Sequence, residues 1–195
     1  LPEKEFWNHA EYLGGVFIPG TLFLLAVLHT GRAHWLTPTR LTLLFLIPLI
    51  TLAANWSNDY HHLYYSRVWL DSSNPIPMLV KNRGPLYGLF FLYSYVIPLW
   101  GLYLLSAHFR RVDGMARLQT VLLGMALLVP LVFNLPYILR LPPFHYFNLT
   151  HLGVLLSGIG IAWGLFRLRL LDVIPFSRDR FFKESADPVI VLDPS

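Results

Sequence analysis

The sequence predicts an all-α fold, a polytopic membrane helix bundle, and three observations lead there. Five apolar blocks recur between Glu11 and Phe166, and a helix crosses the hydrocarbon core with about 20 mainly apolar residues, within a range of about 17–25. Of the 195 residues 55% are hydrophobic and only 13% charged, against about 25% charged in a soluble domain; the mean hydropathy is +0.51. Arginines gather in alternate loops. Arg32 and Arg40 follow the first block, Arg110, Arg111 and Arg117 the third, and Arg167, Arg169, Arg178, Arg180 and Lys183 the fifth, while the loop before the fifth carries only Arg140. Cytoplasmic loops collect Lys and Arg, so the pattern puts the N-terminus outside and the C-terminus in the cytoplasm.

The transmembrane helices are expected at about 11–30, 41–56, 86–107, 119–139 and 149–166, within a membrane bundle covering 1–166. The second block is short and can extend through Asn55 to Asn58; the fifth suffices if Arg167 snorkels to the interface. Pro19, Pro48, Pro98, Pro130 and Pro136 fall inside the blocks. Membrane helices tolerate proline because neighbours re-satisfy the freed carbonyl, so kinks are expected. Irregular packing and a hinge or cavity are both consistent with them. Gly153, Ser157, Gly158, Gly160 and Gly164 bring small residues to block five, which let backbones approach closely, so this block is expected inside the bundle. Trp7, Trp35, Trp56, Trp69 and Tyr146 lie near block ends, where interfacial aromatic belts form.

The loop from Ser57 to Pro85 is long, polar and external on this topology. Alternation across Leu63 to Leu70 is poor, which leaves strand and irregular loop both open; the loop is long enough to fold back over the outer mouth of the bundle. Residues 167–185 are basic and amphipathic and read as a cytoplasmic linker helix. Val189 to Leu192, followed by Asp193 and Pro194, reads as a short buried strand entering a turn. The chain opens at Leu1 without methionine and stops at Ser195, which reads as a piece of a longer protein.

Several function classes are disfavoured. The net charge of +4 sits beside apolar blocks, which suits anionic lipid headgroups and topology and not nucleic acid. Without cysteine there are no disulfides, thiolate zinc sites or cysteine catalysis. A retinal Schiff base needs an embedded lysine, and Lys4, Lys81 and Lys183 lie outside the blocks. His29, His108 and His151 lie near block ends, not paired at mid-bilayer as a haem requires, and no Asp or Glu falls mid-block for an intramembrane hydrolase.

The candidate ligand-binding residues are Asn58, His61, His62, Arg83 and Asn134. Asp59, His61 and His62, with His145 and His151, form an outer polar set. Imidazole and carboxylate can ligate a divalent metal, but adjacent histidines cannot both point at one ion. No metal or other cofactor is therefore expected here. Ligand contact and hydrogen bonding to backbone at helix ends remain as alternatives. Asn134 lies deepest in an apolar block, where a polar group faces the bundle interior and a partner; Asn55, Asn148, Tyr87, Tyr93 and Tyr95 are its candidate company. Arg83, at the outer start of block three, suits an anionic ligand, Asp59 or Asp71, or a plain interfacial anchor.

Stretches spread along nearly the whole chain carry a resemblance. They are Phe6 to Gly14, Leu28 to Arg32, Trp35 to Arg40, Leu46 to Ile50, Asn58 to Leu63, Arg83 to Tyr87, Leu170 to Arg178 and Asp187 to Asp193. In this order and spacing the chain resembles the N-terminal seven-helix (7TM) sensor region of bacterial and archaeal histidine kinases. That family implies seven helices, of which the first two would lie upstream of Leu1, a loss that preserves orientation. Residues 186–195 resemble the opening of a PAS domain.

The resemblance implies a transmembrane signal-sensing region of a two-component histidine kinase in a prokaryotic plasma membrane. It would relay a ligand or membrane state to PAS and kinase parts further along. It also implies a homodimer, a response regulator as partner, and ATP with Mg only in the kinase domain. Membrane lipids and an unidentified small molecule complete the expected partners, and no catalytic residue is expected within these residues. Two alternatives stay open: the sensor of a diguanylate cyclase, and a membrane transporter or lipid-handling protein, for which inverted repeats are not detected.

Overall fold

The computed structural model describes residues 2–71, 78–139, 141 and 148–168. The expected linker helix from 169 onward, the PAS-like strand, Arg140, His145 and Tyr146 lie outside the described residues. Helices dominate: α1 (Pro2–Gly15), α2 (Ile18–His29), α3 (Pro38–Trp56), the single turn α4 (Asn58–His61), α5 (Pro85–Phe109), α6 (Gly114–Ile138) and α7 (Thr150–Arg167). A short hairpin, β1 (Tyr65–Asp71) antiparallel to β2 (Met78–Arg83), fills the loop that the sequence leaves open between strand and coil.

Among the described residues, four stretches are long and apolar enough to cross a membrane: Phe6–His29, Pro38–Trp56, Pro85–Phe109 and Gly114–Ile138. The first comprises α1 and α2, broken at Val16 and Phe17, so the first span starts earlier than Glu11. The second starts at Pro38, where proline supplies a preset φ and Thr37 caps the helix by accepting a hydrogen bond from Arg40 N. That gain at the front, not Asn58 at the back, makes block two long enough. The remaining block forms α7, whose 18 residues carry His151 near one end and Arg167 at the other.

Exposure argues independently for lipid. Leu118, Val121, Met125, Leu128, Val132 and Leu135 form one exposed stripe on α6, and Leu152, Leu155, Ile159, Trp163 and Phe166 another on α7. Their steps of three and four keep each stripe on one helix face. Contiguous apolar faces of this extent are rare on soluble monomers and ordinary where hydrocarbon is the solvent.

The interior is built where α2, α5 and α6 meet. Ala26, Leu105, Leu123 and Leu127 are nearly inaccessible there, and Phe23, Val27 and Leu104 continue the seam. Helix α7 packs its small-residue face on α6. A Cβ built at Gly153 would lie 3.0 Å from Pro130 Cα and 3.0 Å from Phe133 Cβ, so a side chain there would push the two helices apart by a few tenths of an ångström. The opposite face of α7 is exposed, which corrects the expectation that block five lies wholly inside the bundle: small residues on one side serve one neighbour.

Antiparallel succession sorts the ends. Arg32, Arg40, Arg110, Arg111, Arg117 and Arg167 fall at the end opposite the hairpin, with Arg67, Lys81 and Arg83 on the hairpin itself.

Candidate functional site

Among the described residues, two concavities lie in the hairpin half of the bundle. The larger, of about 420 Å³, lies between the α1–α2 break and helices α5, α6 and α7. Ligand pockets fall in a range of about 300–1,000 Å³ and are mostly apolar with few polar groups. Its walls include Pro19, Leu22, Phe90, Phe91, Leu127 and Val154, and three of the prolines singled out in the sequence, Pro19, Pro98 and Pro130, come from three different helices to line it. The structure thus joins the prolines to a cavity.

Polar groups collect at one end of this cavity. The Tyr95 hydroxyl donates to Asn134 Oδ1 at 2.8 Å, and Asn134 Nδ2 donates to Thr150 Oγ1 and, at 3.4 Å, to Asn148 Oδ1. One asparagine therefore ties α5, α6 and the start of α7. Beside it, Glu11 Oε1 lies 2.6 Å from His151 Nε2, joining α1 to α7.

The second concavity, of about 280 Å³, lies against the hairpin and is lined by Asn8, His9, Asn58, Asp59, His62, Tyr65, Arg67 and Lys81 among others. Lys81 donates to Asn8 Oδ1 and sits 5.1 Å from the centre of the Tyr65 ring. Burial pushes its ammonium below the usual lysine range, with the Glu11 carboxylate opposing the shift. Burial likewise raises the Tyr64 and Tyr65 phenols well above theirs, reinforced by Tyr12.

The five predicted residues separate into different places. Asn134 alone lines the large cavity. Asn58 and His62 line the small one. Asn58 is buried and works on the backbone: its Oδ1 accepts from Tyr64 N and Tyr65 N at 3.1 and 2.9 Å, and its Nδ2 donates to Tyr65 O at 3.0 Å. His61 bonds Ser57 Oγ and accepts from Leu63 N through Nδ1. His62 is exposed and ends α4 with φ of 53°, a left-handed conformation in which histidine is enriched. Arg83 stacks between Tyr87 and Tyr137, 5.1 and 5.4 Å from the ring centres. Asn58 and His61 therefore fold the helix-to-strand turn, and Arg83 bridges β2, α5 and α6. Among the described residues no three His, Asp or Glu converge as a metal site.

Sequence reasoning missed Glu11 and Tyr12. Both sit at a block start that hydropathy treats as an edge, and an acid beside an apolar run carries no partner signal on its own.

A family model described as the N-terminal 7TM region of histidine kinase matches residues 1–175. The chain belongs to this family. No match was found among the curated proteins or the solved structures. The match covers every described helix and the hairpin, so both concavities belong to the sensor region of a histidine kinase, as the scattered sequence resemblance anticipated.

Proposed function

We propose that this region senses a signal within the membrane and relays it through α7 to PAS and kinase parts beyond Arg167. One observation carries the reading: the large cavity is lined by residues of α1, α2, α5, α6 and α7 together. An occupant there touches every one of these helices, and a signal shifts a two-state bundle only by binding its two arrangements unequally. Helix α7 is the natural output lever. It meets the cavity at Thr150, His151 and Val154 and ends at Arg167, ahead of the basic segment. The arginines at the end opposite the hairpin support a cytoplasmic C-terminus by the positive-inside rule. A prokaryotic plasma membrane, a homodimer and a response regulator partner follow from the same family reading.

The test is phosphate incorporation from labelled ATP by the full chain in proteoliposomes. Val154→Trp, which fills the cavity, should change the incorporation rate at least threefold. Leu156→Trp, on the exposed face of α7, should leave it unaltered. Equal rates in all three proteins contradict the reading.

A further inference from the structure

Resting on that sensor reading, the lining of the large cavity specifies what it holds. We propose that it binds a single-headed amphiphile, an apolar molecule carrying one neutral hydroxyl head. Along α5 the lining runs from Tyr87 to Pro98, about 16 Å at 1.5 Å rise per residue, so the space suits an elongated ligand. Along α6 it changes character from Leu127 through Pro130 and Leu131 to Asn134. The apolar body therefore lies toward Leu22, Leu127 and Pro98, and the head toward Glu11 and Asn134.

The hydrogen bonds at the polar end narrow the head group. Asn134 spends its oxygen on Tyr95 and its amide on Thr150 and Asn148, so it shapes the end of the cavity and holds three helices. Glu11 uses Oε1 for His151 and keeps its side chain 46% exposed at the polar end of the cavity, which leaves Oε2 open to a donor from an occupant. A carboxylate oxygen accepts and cannot donate, so the head it reads is a donor. His151 Nε2 already pairs with Glu11 at 2.6 Å, and drawing a charged head in beside a mostly apolar lining costs more than drawing in a neutral donor. A hydroxyl satisfies both conditions.

The experiment is photolabelling of the full chain in phosphatidylcholine nanodiscs with a diazirine analogue of 1-dodecanol, read by peptide mass spectrometry. Labels are expected on cavity-lining residues of α5, α6 and α7, displaced by 1-dodecanol at least fivefold more effectively than by dodecane. Val154→Trp should cut labelling at least fivefold, Leu156→Trp should not, and Glu11→Gln should narrow the preference of alcohol over alkane. Should Val154→Trp fail to fold, Ser94→Leu fills the same cavity from α5. Labels confined to the outward stripes of α6 and α7, or equal displacement by dodecane, overturn the proposal. Labelling reads occupancy and not phosphotransfer. Its loss removes the ligand class and leaves the sensor reading, whereas specific labelling with phosphorylation indifferent to dodecanol removes the relay and leaves the site.

Discussion

The Tyr95 hydroxyl donates to Asn134 Oδ1 across 2.8 Å, joining α5 to α6 where the cavity turns polar. Hydrogen bonds between membrane helices contribute about 0.6 kcal/mol on average and up to about 1.7. Tyr95→Phe should therefore cost about 1 kcal/mol in an unfolding equilibrium in bicelles. Asn134→Leu should cost more, because Thr150 and Asn148 lose their donor as well. A loss for Asn134→Leu no greater than that for Tyr95→Phe would argue against a shared network.

Two glycines four residues apart should behave oppositely. A Cβ at Gly84 would lie 2.2 Å from Leu63 O, a backbone atom that cannot yield cheaply, while a Cβ at Gly88 meets nothing within 4 Å. Gly84→Ala should destabilise by more than about 2 kcal/mol, as forced overpacking typically does, and Gly88→Ala should be neutral or gain about 0.5–1 kcal/mol as a helix-interior replacement. Thermal unfolding of both variants checks the contrast.

Stability of the hairpin should peak in alkaline solution. Burial lowers the Lys81 pKa from 10.5, so between that lowered value and 10.5 the unfolded chain binds more protons and stability rises with pH. Below the lowered value the penalty of the buried charge is present in full. Tyr64 and Tyr65 have raised pKa values. Above about 10 the unfolded chain releases their protons first, and stability falls. Hydrogen exchange of hairpin amides against pH should thus give a maximum, and Lys81→Met should abolish the rising limb alone.

The absence of cysteine from these 195 residues makes orientation directly measurable. Ser66→Cys on the hairpin should react with an impermeant maleimide in intact cells. Asp113→Cys, whose parent side chain is 95% exposed between α5 and α6, should react only after permeabilisation. The reverse pattern would invert the topology.

Helices were legible because apolar runs and charge gaps are local properties of the chain. Asn134 was legible for the same reason, a polar group deep within an apolar run. The hairpin was not, because poor alternation in Leu63 to Leu70 conceals a pairing fixed by Asn58 and by the close approach of Gly84 to Leu63. The Glu11–His151 contact spans 140 positions, a separation at which spacing rules say nothing. Prolines were visible individually, but their convergence on one cavity depends on how α2, α5 and α6 rotate against each other.

The most direct test of the relay follows α7 itself. Spin labels at Arg111→Cys and Arg167→Cys, both at the end opposite the hairpin, report the distance between the end of α5 and the end of α7 by double electron–electron resonance in nanodiscs. Two distance populations are predicted, with Val154→Trp shifting their balance and Leu156→Trp leaving it alone. A single distribution, unchanged when the cavity is filled, would contradict a bundle that signals by moving α7.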